Sequence, residues 1–163
     1  MSTVDDTSGL TPAEIEAVTA LARQYEARRG ACIEALRLVQ RSHGWISDGR
    51  LHEVARLLDM SPDELDGVAT FYNLIFRRPV GRHVILICDS VCCWIMGYKA
   101  LRDAFHDTRL GVRLGETTAD RRFTLLPIVC LGACDHAPTI MIDDDLHHDV
   151  DAARLDALLE QYP

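Results

Sequence analysis

A change of rhythm at residues 77–82, RRPVGR, restricts the fold more than any other feature of the chain. Before it, apolar residues recur every three or four positions. After it, HVILIC (83–88) is an unbroken β-branched and aliphatic run. The first spacing suits helices that bury one face, and the second suits a strand buried on both. A proline and a glycine punctuate the change, so no single element runs through it. The chain therefore reads as α+β, with a helical region over residues 1–78 and a small α/β region over 79–163.

Two helix-start signals repeat in the first region. Thr11, Pro12 and Glu14 stand as N-cap, first-turn proline and capping-box acid, and Ser61, Pro62 and Glu64 repeat the pattern. The first signal opens a helix over LTPAEIEAVTALARQYEARR, with Ile15, Val18, Ala22 and Tyr25 on one face. A second helix is expected over about 31–43, with Ile33, Leu36 and Val39 inward and Gly44 as its stop. A third covers about 48–58, burying Leu51, Val54, Ala55 and Leu58. The fourth, after Ser61, aligns Leu65, Val68, Ala69 and Tyr72. Four short amphipathic helices with tight turns form a small bundle, and Trp45, Phe71, Tyr72 and Phe76 are read by default as its core, any exposed remainder facing a partner subunit.

Beyond the boundary, HVILIC is a strand and IMGYKALRDAF (95–105) a helix with Tyr98, Leu101 and Phe105 on one side. GVRL (111–114) is a short candidate strand. FTLLPIV (123–129) is another, and Pro127, which lacks a ladder donor, makes it an edge or a bulged strand. TIMI (139–142) and the aspartates after it form a strand and a turn. DAARLDALLEQY (151–162) closes as a helix capped by Asp151.

Charge and composition exclude several classes. The 163 residues carry a net charge of -8 and a single lysine, Lys99, with 9 basic and 12 acidic residues up to position 80 and 8 and 13 after it. No basic block exists to meet nucleic acid or an anionic membrane. No apolar run approaches the roughly 18 residues of a membrane span, so direct membrane insertion is not expected. MSTVDDTSGL has no leader pattern, and a cytoplasmic location is the expectation. No Ser-His-Asp order, phosphate loop or G-x-G-x-x-G is present, so the chain is not expected to bind NADH or flavin itself.

Five of the six cysteines fall in two loops, each beginning where an apolar run ends: CDSVCC (88–93) and CLGAC (130–134). Cys88-x4-Cys93 and Cys130-x3-Cys134 offer two thiolates each to one centre. Asp89, Ser90, Gly132 and Ala133 are small or donate backbone N–H groups, which wrap a cluster and tune it. Disulfides suit an oxidising compartment that nothing here suggests. A redox dithiol wants C-x-x-C at a helix start, which neither pair supplies. A four-cysteine zinc site remains a rival, although zinc commonly staples domains too small to fold alone. Iron–sulfur ligation fits the spacing best, and two ligands per loop match a two-iron rhombus, but spacing does not separate it from zinc.

CDSVCCWIMGY (88–98), GETTADRRFTLLPIVCLGACDHAPTIMIDDDLH (115–147) and GVATFYNLIFRRPVGRHVILICDS (67–90) resemble a known family. It is the thioredoxin-like [2Fe–2S] subunit of NADH:quinone oxidoreductase, respiratory complex I, which recurs in NAD-reducing hydrogenases and NAD-dependent formate dehydrogenases. The resemblance spans roughly residues 30–163. It implies a thioredoxin-like ferredoxin domain with one [2Fe–2S] cluster held by Cys88, Cys93, Cys130 and Cys134. It also implies docking on a flavin- and NADH-binding subunit beside further iron–sulfur subunits. The chain would then be a non-catalytic electron carrier of an oxidoreductase, reaching the inner membrane only peripherally, through a larger complex. Cys92, beside Cys93, is read as a small loop residue and Cys32 as a buried free thiol. His147 and His148, near Asp143, Asp144 and Asp145, are read as a solvated turn rather than a second metal site.

Overall fold

The computed structural model describes residues 9–107 and 110–163. They divide into two compact units, one ending at Pro79 and the other beginning at Val80.

Among the described residues the first unit holds four α-helices: α1 (Pro12–Ala22), α2 (Cys32–His43), α3 (Asp48–Leu57) and α4 (Pro62–Phe71). Both expected capping boxes form. The Glu14 N–H donates to Thr11 Oγ1 at 3.3 Å while Thr11 N–H donates to Glu14 Oε2 at 2.8 Å. Glu64 and Ser61 exchange the same pair at 3.2 and 3.0 Å. Each such cap stabilises its helix by about 1 kcal/mol. Gly44 ends α2 at φ 77°, a left-handed conformation that favours glycine. Val18, Leu36, Val39, Ile46, Val54, Leu58 and Leu65 are fully buried and form the core.

Two expectations about this unit are corrected. Helix α1 stops at Ala22, and the chain returns through a 3-10 turn at Arg28–Ala31. That turn sets Gly30 so close to Tyr25 that a Cβ there would lie 2.9 Å from the ring. Phe71 is 76% exposed and Tyr72 42%, so neither belongs to the core, while Trp45 and Phe76 are half-buried. Helix α4 ends at Phe71 and Tyr72 turns to extended backbone, which takes its side chain off the Leu65–Ala69 stripe. Ile75 is buried instead.

The second unit comprises β1 (His83–Cys88), α5 (Val91–Met96), α6 (Tyr98–Asp107), β2 (Phe123–Ile128), β3 (Ile140–Ile142), β4 (Asp145–His147) and α7 (Leu155–Leu159). The sheet order is β2-β1-β3-β4. β1 pairs in parallel with β2, from His83↔Phe123 to Cys88↔Ile128, and antiparallel with β3, Ile87 facing Ile140. The apolar run thus becomes an interior strand, and Pro127 sits on the edge strand as its missing N–H requires. Ile85, Ile87, Leu101, Phe105, Phe123, Leu125, Ile140 and Leu155 pack into one core.

The structure departs from the sequence reading at four places. Gly97, at φ 125°, divides the expected 95–105 helix into α5 and α6. GVRL is not a strand: Gly111 and Gly115 bracket it at φ 55° and 83°, and it bends past β2. β4 was not expected; the turn at Asp143–Asp144 folds it back onto β3. The closing helix α7 begins only at Leu155, after a 3-10 turn that Asp151 caps through Ala153 N–H at 2.9 Å. Helices around a four-stranded mixed sheet, with a helical unit before them, make the chain α+β.

Candidate metal centre

Parallel pairing brings the C-terminal ends of β1 and β2 to the same edge of the sheet. Cys88 is the last residue of β1, and Cys130 lies two residues beyond β2. The backbone ties these ends together: Asp89 N–H donates to Ile128 O at 3.0 Å and Cys88 N–H to Thr139 O at 3.2 Å. Cys93 lies in the first turn of α5, and Cys134 opens a 3-10 turn, Cys134–His136. The structure therefore brings all four sequence-assigned thiols to one edge.

The Cys130 and Cys134 sulfurs stand 3.8 Å apart. Two thiolates sharing one tetrahedral metal at about 2.3 Å are separated by about 3.8 Å, so this pair already has the spacing of a metal-bound pair. Cys93 interacts with Cys88, and Cys130 reaches Cys88 and Ser90 across the gap between loops. Two thiols from each loop are the donor set that a two-iron centre with two cysteines on each iron would take.

The pairs differ in surroundings. Cys88 and Cys93 are 3% and 2% exposed, whereas Cys130 and Cys134 are open to solvent. Burial, then Cys88, pushes the Cys93 thiol above its ordinary range, against hydrogen bonds from Thr139. The Gly132 N–H, 3.4 Å from Cys130 Sγ, is the main reason the Cys130 thiol is held down, and Cys134 assists. Cys134 is pushed up to about 11, first by Cys130 and then by Cys92. Two adjacent thiols share one negative charge easily and a second with difficulty. A bound metal removes that obstacle by displacing the protons.

Gly132, singled out in the sequence, has the donating role expected of it. Thr139 escaped the sequence reading: a threonine after Ala-Pro looks like an ordinary turn residue, and its contacts with both loops arise only in the folded sheet. His147 lies in β4 with Nε2 2.7 Å from the Tyr162 hydroxyl, not in a solvated turn. Near the thiols, Val91, Trp94, Ile95, Met96 and Val129 are 56–77% exposed.

A family model, the thioredoxin-like [2Fe–2S] ferredoxin, matches residues 18–163. The chain belongs to that family. Its cofactor is one [2Fe–2S] cluster, and the paired thiols at the sheet edge fit it. Among similar proteins are the NADH-quinone oxidoreductase subunits E of Escherichia coli, 48% identical over 94% of this chain and 92% of that protein, and of Buchnera aphidicola, 46% identical over 94% of each. The Pseudomonas aeruginosa subunit is 50% identical over 85% of this chain and 82% of its own. Among solved structures, an NAD+-reducing [NiFe]-hydrogenase in its H2-reduced state superposes with a TM-score of 0.68 at 28% identity. The match covers 81% of this chain and 22% of the hydrogenase chain. The hydrogenase chain extends well beyond the matched part.

Proposed function

We propose that this chain is the electron-transfer subunit of an NADH:quinone oxidoreductase. In this reading Cys88, Cys93, Cys130 and Cys134 hold one [2Fe–2S] cluster that exchanges single electrons with the flavin of a partner NADH-binding subunit. The observation that supports it most is the meeting of two thiol-bearing loops at one sheet edge, in a chain whose relatives are quinone oxidoreductase subunits across 85–94% of its length. When bound, the cluster supplies one-electron redox chemistry.

The protein's part is to hold and bias that centre. Cys88 and Cys93 fix one side in a dry, rigid setting, and Gly132 aims an N–H at Cys130 on the other. A net charge of -8 opposes one more electron, so a low potential is expected, toward about -400 mV. Hydride transfer is assigned to the partner, and this chain is read as carrying no substrate-converting site. The exposed aliphatic residues of α5 and Val129 favour burial against a protein partner. No described helix is long and apolar enough to cross a membrane, and a peripheral place on the cytoplasmic face, through the larger complex, is the matching location. Residues 1–78 and 79–163 are taken as separate domains. A second reading, membership in an NAD-reducing hydrogenase, draws on the structural likeness; the 28% identity there against 46–50% for the oxidoreductase subunits puts it second.

Tagged chain purified anaerobically from its native cells tests the proposal. It should be reddish-brown, bleach with dithionite and bring a flavin-containing subunit with it. A colourless protein holding zinc would instead establish a stapled structural adaptor.

A further inference from the structure

One side chain outside the thiols touches both cysteine loops. Thr139, 1% exposed, opens the approach to β3. Its carbonyl accepts the Cys88 N–H at 3.2 Å. Its hydroxyl donates to His136 O at 3.1 Å and shares Ala133 O at 3.4 Å, on either side of Cys134. Its N–H and hydroxyl also lie against Cys93 Sγ. Segments carrying Cys88, Cys93 and Cys134 therefore converge on this single residue.

We propose that Thr139 is a positioning residue for the metal centre: its hydroxyl clamps the 133–136 turn, which keeps Cys134 in place relative to Cys88 and Cys93 and holds the Thr139 N–H on Cys93 Sγ. This rests on the four-cysteine ligation proposed above. Hydrogen bonds to ligand sulfur stabilise the extra negative charge of a reduced centre and so raise its potential. Releasing the clamp lowers the potential and frees the exposed ligand pair.

Thr139→Val removes the hydroxyl and nearly preserves the shape. Neither carbonyl is orphaned, because His136 O keeps the Asp149 N–H at 2.9 Å and Ala133 O keeps the His136 N–H at 3.1 Å. The variant should fold. Full-length protein with its cluster is compared as wild type, Thr139→Val and Thr139→Ser by redox titration, electron paramagnetic resonance, cluster loss to a chelator, and thermal melting. The expected result is a lower potential, altered resonance and severalfold faster cluster loss in Thr139→Val, all restored in Thr139→Ser. A lower melting temperature with wild-type potential and resonance would reduce Thr139 to a core residue and overturn the proposal, as would failure of Thr139→Ser to restore them. Should Thr139→Val not accumulate, Thr139→Ala takes its place against Thr139→Ser with the same outcomes. Cys93→Ser is run alongside: a wild-type cluster in that variant overturns the ligand assignment itself, whatever Thr139 does.

Discussion

The two cysteine loops, so alike in sequence, are opposites in structure. The 88–93 loop leaves a strand paired on both sides, and its Cys88 and Cys93 are buried. The 130–134 loop leaves an edge strand carrying Pro127, turns through Gly132 at φ 82°, and exposes both cysteines. Strand position decides which cysteine pair is buried and which is accessible. Burial keeps the Cys93 thiol protonated, the Gly132 N–H prepares Cys130 to ionise, and a bound metal would bring both to the same charge state.

The largest effect that bears on this contrast comes from neighbouring cysteines. Cys93→Ser should abolish the cluster, and Cys92→Ser should leave iron content and visible absorption unchanged. Equal spectra in the two variants would erase the distinction between the buried ligand and its half-buried neighbour. A smaller effect is kinetic. In cluster-free protein near neutral pH, a thiol alkylating agent followed by peptide mass mapping should label Cys130 first and Cys93 last. The sign follows from the thiolate being the nucleophile: Cys130 is held down and ionises early, burial keeps Cys93 protonated, and Cys134 joins only as pH approaches about 11. Uniform labelling of all four would break the contrast. The smallest effect is expected from Gly132→Ala. A Cβ there meets nothing within 4 Å, so only the left-handed backbone is penalised, by about 1 kcal/mol in denaturant unfolding. A modest rise in cluster loss should accompany it.

What could be read in advance depended on how local the cause was. The capping boxes at Thr11 and Ser61 and the Gly44 stop were visible because each acts within one helical turn. The pairing of β1 with β2 was foreseeable from two apolar runs, and with it the meeting of Cys88 and Cys130. Strand β4 was hidden because Asp145-Leu146-His147 has no strand character of its own and is made a strand by β3. Gly97 could have been read as a break, but the apolar residues on both sides of it share a helical spacing. Tyr72 misled because the stripe it continues outlasts the helix that carries it, and Phe71, the last residue of α4, lies off that stripe. Thr139 was invisible for the deepest reason: its partners at positions 88, 93, 133 and 136 are assembled only by the sheet.

Combined iron, sulfide and zinc analysis of the purified chain, with electron paramagnetic resonance after dithionite, tests the central claim most directly. About two irons and two sulfides per chain, negligible zinc and one spin-half signal are predicted. A single tightly held zinc, or about four irons per chain, would contradict the two-iron centre on Cys88, Cys93, Cys130 and Cys134.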